Sequence, residues 1–216
     1  MTADTWLIVA QGIAATLQLT VVGFAIGAIL GLPLVAMRAA RLWILRFTAR
    51  SFIEIARGVP LIIWLFLIYN GPTQFNPALG SVFTSWRSAV LAIGLVSAAY
   101  MAEIYRGALR AVNNGQFEAS RALGMSQVDT ATRIVGPQMV RVAIPASASY
   151  AIGLLKDSSL ASTIGVFEIT YFATTASSNT SSVTPFFVAG IYYVALTFPS
   201  AWAARRLESI MLERVA

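Results

Sequence analysis

Long uncharged apolar runs alternate with short arginine-rich stretches along the chain. The first run extends from Thr5 to Met37. The second extends from Gly58 to Trp86, but only its front part, through Tyr69, is strongly apolar; Asn70-Gly71-Pro72 and Asn76-Pro77 read as a turn and a loop. A third begins near Ser88 and passes through Ala102 into Glu103–Arg110. A fourth lies between about Val142 and Val166, and a fifth runs from near Pro185 to just before Arg205-Arg206. A helix needs roughly 20 apolar residues to cross a bilayer. The pattern therefore predicts an all-α integral membrane protein with five transmembrane helices, at about 8–37, 57–70, 88–108, 142–166 and 185–204. The polar segment TTASSNTSSVT before the fifth span reads as a loop. The first run is too long for a secretory core segment and only Asp4 precedes it, so no cleaved leader is expected.

Composition agrees with the pattern. Apolar residues make up 57% of the chain and charged residues 11%, against about 25% charged in a soluble domain. So few ionic side chains cannot cover a water-facing surface. The chain has no cysteine and no histidine, which excludes disulfide frameworks, Cys/His zinc sites, thiol catalysis and histidine acid/base chemistry. Its single lysine, Lys156, stands in LLKDSS, so the phosphate-cradling G-x-x-x-x-G-K-[ST] loop is absent and any ATP must be bound by another chain.

The basic residues set an orientation. Of 15, Arg38, Arg41, Arg46, Arg50 and Arg57 separate the first two spans, Arg106, Arg110, Arg121, Arg133 and Arg141 separate the third and fourth, and Arg205, Arg206 and Arg214 follow the fifth. The opposite side carries only Arg87. Positive residues favour the cytoplasm, so the N-terminus is expected outside and the C-terminus inside, as an odd number of spans requires. The whole chain, 1–216, then forms one transmembrane domain with a large cytoplasmic loop at 111–141.

Within the spans, Gly23, Gly27 and Gly31 form a stripe at four-residue spacing, suited to close helix packing. Charged groups at membrane depth cost about 2.5–3.5 kcal/mol each on insertion scales and are functional suspects. Lys156 and Asp157 follow Val142 by about 14 residues, roughly 21 Å of helix. Gly153 and Ser158-Ser159 allow a helix break there, and the segment either lines a pathway or holds an ion pair at a subunit interface. Glu103 with Arg106, and Glu54 with Arg57, stand at i,i+3 and read as interfacial ion pairs, Glu103 also as a pathway carboxylate. Glu103, Lys156, Asp157 and Ser158 are the candidate residues for binding a polar solute along such a pathway.

The loop between spans three and four reads NNGQFEASRALGMSQVDTATRIVGPQM. Asn113-Asn114-Gly115 is a break, Gln116 to Leu123 suits a helix, and Gly124 stops it. Ser126-x-x-Asp129 resembles a cap for a second short helix, and Pro137 ends its regularity. This helix–turn–helix resembles the EAA motif of ABC importer membrane subunits. Glu118-Ala119-Ser120 is followed by three residues and Gly124, and nine residues later by Ile134-Val135-Gly136-Pro137. Ser120 and Gly136 are the departures from the pattern. IARGVPLIIWLFLIYNGP, AAYMAEIYRGALRAV and LKDSSLASTIGVFEI are similar to polar amino-acid uptake permeases of the same class.

The resemblance implies the ABC type I importer permease fold in a bacterial inner membrane and import of a polar amino acid or related solute such as an opine, an ectoine-like solute or cystine. It implies coupling through Glu118, Ala119, Ser120, Ala122, Gly124 and Pro137, with the loop at 115–137 docked on an ATPase. It also implies a paired permease subunit, two ATPases carrying ATP and magnesium, and a solute-binding protein outside. No cofactor is expected on this chain. A stand-alone secondary transporter or channel is the alternative, and an intramembrane enzyme using carboxylate or serine–lysine chemistry is a third class.

Overall fold

The computed structural model describes residues 3–212, so Arg214, counted above among the cytoplasmic charges, lies outside the described residues. In chain order the helices are α1 (Ala3–Ala10), α2 (Ile13–Ala39), α3 (Trp43–Gly58), α4 (Leu61–Phe75), α5 (Ser85–Ala111), α6 (Asn114–Ala122), α7 (Gln127–Asp129), α8 (Gly136–Asp157), α9 (Ile169–Thr180) and α10 (Thr184–Leu212). No strand occurs among the described residues. Asp4–Ala39, Ser85–Ala111 and Thr184–Met211 are each long and apolar enough to cross a membrane. Trp43–Gly58 and Leu61–Phe75, bent by 103°, make a fourth if taken together.

The glycine stripe fixes the centre of the bundle. Gly23 faces Ile93, Gly27 faces Ser97 and Gly31 faces Met101 and Ala102 of α5. A Cβ on Gly27 would stand 2.7 Å from the Ser97 carbonyl carbon, so the two backbones touch where the side chain is missing. The paired numbers rise together, so α2 and α5 run in the same direction. Ile53 and Ala56 pack with Ala99 and Ala102, whereas Leu65 packs with Ala89, Ala92 and Ile93. These numbers move oppositely, so α3–α4 runs against α5. Tyr150 meets Ser97 and Tyr100, while Ala161 and Ile164 join Ala89 and Ala92, so the α8 segment also runs against α5. Chain direction thus reverses at each successive long segment beside the α2–α5 pair.

Several elements depart from the sequence pattern. The first run is not one helix but breaks at Gln11-Gly12, where a Cβ on Gly12 would lie 2.2 Å from the Ile169 nitrogen. The arginine-rich connection after it is itself a helix, α3. Ala49, Ile53 and Ala56 are buried on one face, while Trp43, Phe47 and the arginines stay outside, the division of an interfacial helix. Asn70-Gly71-Pro72 is not a turn, because α4 continues to Phe75. Proline there removes one N–H near the helix end, and the Thr73 hydroxyl donates to the Asn70 carbonyl at 2.8 Å. The helix stops at Asn76, whose side chain accepts from the Ala78 N–H at 3.0 Å.

The fourth run, expected at 142–166, is α8 from Gly136 to Asp157, then a 3₁₀ segment to Ile164, closed by Gly165 at φ 83°. Gly153 lies inside the helix, so the break comes after Asp157. Pro137 begins α8 instead of ending a helix, since the first turn has N–H groups to spare. TTASSNTSSVT is largely helix α9 instead of loop. Its hydroxyls donate one turn back, Thr174 to the Thr170 carbonyl, Thr175 to Tyr171, Ser178 to Thr174 and Thr180 to Ala176. These bonds satisfy the hydroxyls without breaking the helix's own hydrogen bonds, so the turn-forming residue types do not end α9.

Candidate functional site: a polar cavity and an exposed elbow

The sharp bend between α3 and α4 leaves room beside α5 and α8. The sequence there is Arg57-Gly58-Val59-Pro60: α3 ends at Gly58, and Pro60 caps α4, its carbonyl accepting from the Ile63 N–H at 3.0 Å while its missing N–H costs nothing ahead of the first turn. A cavity of about 350 Å³ opens at this corner. Its polar lining is Arg57, Tyr100, Tyr150 and Asp157. Tyr100 and Tyr150 stack at 5.1 Å between centroids, and the Arg57 guanidinium sits 4.9 Å over the Tyr100 ring. The Tyr150 hydroxyl donates to the Ser97 hydroxyl oxygen at 2.9 Å, which holds the ring in place. One cation, one carboxylate and an aromatic shelf in one small space suit a zwitterion: Arg57 can meet a carboxylate and Asp157 an ammonium. A larger cavity of about 560 Å³, between α2, α4 and α5, has only apolar side chains such as Ile26, Leu34, Phe52 and Leu95, and offers a polar solute no partner.

The four sequence candidates separate. Asp157 lines the cavity. Lys156 is exposed and is not among its walls. Ser158 is fully buried and its hydroxyl donates to the Leu155 carbonyl at 2.8 Å, so it faces the core. Glu103 is engaged by arginines: Arg38 and Arg106 bond it directly, Arg106 Nε at 3.0 Å, and Arg57 approaches at 3.9 Å. Arg57 thus pairs with Glu103 and not with Glu54, because the end of α3 packs against α5. Glu103 neutralises a cluster of arginines at the meeting point of α2, α3 and α5 and steadies Arg57 at the cavity edge. Arg57, Tyr100 and Tyr150 were not among the sequence candidates. Arg57 could have been found from the Gly-Val-Pro break that follows it; the tyrosine pair comes only from the packing of α5 on α8.

The second site is the elbow after α5. The Asn113 side chain accepts from the Gly115 N–H at 2.8 Å and caps α6. At the far end the Met125 N–H donates to the Ser120 carbonyl at 3.0 Å, and Gly124 takes φ 69°, a left-handed helix stop that favours glycine. Ser126 caps α7, accepting from the Asp129 N–H at 3.0 Å and donating to its carboxylate at 2.6 Å. Residues Thr130–Val135 then widen into a π-type turn, and a Cβ on Gly136 would stand 2.7 Å from the Ala131 carbonyl oxygen. Glycine in place of the motif's leucine allows that approach. Glu118, Ala119, Ala122, Gly124 and Pro137 are exposed. Ser120 is buried, its hydroxyl donating to the Gln116 carbonyl at 2.7 Å, so it faces inward. The elbow also exposes Leu123 (79%) and Val128 (71%), apolar side chains with no cover in this chain.

Residues 23–212 match the family model described as "Binding-protein-dependent transport system inner membrane component". The octopine transport system permease protein OccM of Rhizobium radiobacter is 39% identical over 201 residues, 90% of this chain and 82% of that protein. The L-cystine transport system permease protein TcyB of Bacillus subtilis is 37% identical over 164 residues, 76% of this chain and 68% of that one. Among solved structures, an amino acid ABC transporter crystallised with histidines superposes at TM-score 0.88, with 32% identity over 94% of this chain and 93% of that one. The inward-facing MetNI methionine ABC transporter superposes at 0.83 over 98% and 99% of the two chains; at 21% identity it speaks for the fold alone. The chain belongs to the binding-protein-dependent transport system inner membrane component family, the permease subunits of ABC importers, in which a separate subunit hydrolyses ATP.

Proposed function

We propose that this chain lines the translocation pathway of an ATP-driven importer for a polar, zwitterionic amino acid or amino-acid derivative. The observation that carries this reading is the Arg57–Tyr100–Tyr150–Asp157 cavity. It pairs opposite charges around an aromatic shelf, and relatives named for octopine and L-cystine transport agree with it. Five membrane crossings, with the N-terminus outside and the C-terminus cytoplasmic, are supported by the alternating directions of α2, α3–α4, α5 and α8, with the apolar α10 following as the last long helix. They are supported too by the gathering of Arg38, Arg57 and Arg106 around Glu103. In this reading two such permease subunits, the same or homologous, sit on two ATPase copies in the bacterial inner membrane. ATP and magnesium stay on the ATPase. The elbow at 115–137 transmits its motion, with Glu118, Ala119, Ala122 and Gly124 at the contact and Pro137 starting the helix that carries the motion into the membrane. A solute-binding protein meets the opposite face near Gln74 and residues 177–182.

The test is uptake by proteoliposomes containing the permease, its ATPase and its binding protein. Accumulation of a labelled amino acid should require ATP and should survive collapse of the proton and sodium gradients. Uptake by the permease alone, driven by an ion gradient, would establish a secondary transporter instead.

A further inference from the structure

Glu168 is the most deeply buried charged side chain among the described residues, with no exposed surface. Neither the cavity nor the elbow uses it. It lies between the 3₁₀ segment and α9, where the broken fourth segment turns toward the fifth. One carboxylate oxygen accepts from the Tyr171 N–H at 2.9 Å and so caps α9. The other accepts from the Tyr193 hydroxyl of α10 at 2.7 Å and lies 3.5 Å from the Thr16 hydroxyl of α2. The Thr170 and Tyr193 hydroxyls are also paired at 3.2 Å, and the Ile169 N–H donates to the Thr16 hydroxyl at 3.3 Å. Beside them the bare Cα of Gly12 admits the backbone of residues 168 and 169.

A helix cap needs one acceptor, and serine, asparagine or aspartate supplies it. Here the second oxygen spans to two other helices. Tyr193 stands nine residues into α10, about 14 Å from its start at 1.5 Å per residue. A carboxylate at such depth is expensive and is expected to have a use. The elements it joins are the outermost part of the fold in the proposed orientation. α9 packs on α1 and α10 through Val9, Ile169, Ala173 and Val188. It turns Thr174, Thr175, Ser178, Asn179 and Thr180 outward as an uncharged polar face.

We infer that Glu168 is a positioning residue that clamps α9 to the start of α2 and to α10, so that the three move as one rigid body during transport. The polar face of α9 then carries the contact with the binding protein, and the clamp passes its displacement to the helices around the pathway. This deepens the proposed function and rests on it for the role of α9, but the clamp itself can be measured without transport.

The natural chain has no cysteine, so nitroxide pairs can be placed at Ser178→Cys and Ser200→Cys in the permease–ATPase complex in nanodiscs. The distance between them should be a single narrow distribution, unchanged between nucleotide-free and ATP/vanadate-trapped states. Glu168→Ala should broaden it. Glu168→Gln, which keeps an acceptor for Tyr171, and Tyr193→Phe, which removes one donor, should broaden it less. In the same order amino-acid uptake should fall, at least tenfold for Glu168→Ala, while ATPase association and basal hydrolysis stay within twofold of the parent. A distance that changes between nucleotide states in the parent overturns the rigid body. Narrow distributions in all three variants overturn the clamp. Parallel loss of association and basal hydrolysis, in Glu168→Gln as in Glu168→Ala, reduces Glu168 to a folding residue. If the parent complex takes up no amino acid, the function proposed above fails, while the distances still decide the clamp.

Discussion

Leu123→Asp should release the ATPase from the permease without unfolding it. Leu123 directly follows α6 and is 79% exposed, so a carboxylate there is not buried in the isolated chain. In the complex it would sit in the groove that receives the elbow. Full burial of a leucine side chain is worth about 1.5–3 kcal/mol, roughly 10-fold to 150-fold in affinity, and a charge buried without a partner adds to the loss. The expected result is loss of the ATPase on affinity purification and loss of uptake, with the thermal unfolding of the permease itself unchanged. Val128→Asp should act in the same direction, because Val128 (71% exposed) stands on the other limb of the elbow. Ser120→Ala should leave association intact, since that hydroxyl is occupied by the Gln116 carbonyl. If the elbow instead rests on lipid, Leu123→Asp will purify with its ATPase in full.

Asp157→Asn and Arg57→Gln should abolish uptake while leaving the assembled complex and its basal hydrolysis in place. Asp157→Asn removes a charge at constant shape, and Arg57→Gln removes one while withdrawing the guanidinium from Tyr100; both side chains are solvent-accessible and Glu103 keeps Arg38 and Arg106, so neither leaves a buried orphan in the empty protein. Losing one partner of a desolvated charge pair costs on the order of 2–5 kcal/mol, which predicts uptake reduced by about 30-fold or more at low substrate. The two variants should differ in what they still carry. Asp157→Asn should lose discrimination in favour of the ammonium, and Arg57→Gln in favour of the carboxylate, as read by competition with amines and carboxylic acids. Lys156→Gln should have little effect, because Lys156 lies outside the cavity walls. Equal loss in Lys156→Gln and Asp157→Asn would point to an interface ion pair and not a solute site.

How much of this was legible beforehand differs by residue. The elbow was readable because its physics is local. Asn113, Gly124 and Ser126 act on backbone within a few residues of themselves, and Gly124 takes the left-handed conformation expected of a helix stop. The spacing of Gly23, Gly27 and Gly31 showed that something must come close, but α5 as that partner follows only from the fold. The inward turn of Ser120 was hidden because residues one apart on a helix differ by about 100° in direction, and the sequence does not say which face packs. The polar segment 174–184 read as a loop because its hydroxyls look like turn formers; in the fold they bond to carbonyls one turn back. Asp157 was found by its charge in an apolar run. The i,i+3 spacing points Arg57 to Glu54, whereas its partner in the fold is Glu103, 46 positions further on. Glu168 was missed for the same reason: Thr16 and Tyr193, which give it meaning, are 152 and 25 residues away.

The most direct measurement is the sidedness of a cysteine placed in the cavity. Leu160→Cys lies in its wall in a chain that has no other cysteine. In the complex, a membrane-impermeant thiol reagent should reach it from the cytoplasmic side without nucleotide and from the opposite side when ATP and vanadate close the ATPases. With Leu123→Asp in the same chain, ATP should have no effect on labelling. Labelling that switches sides in the permease alone, or that ignores ATP in the intact complex, would contradict a pathway driven from the elbow.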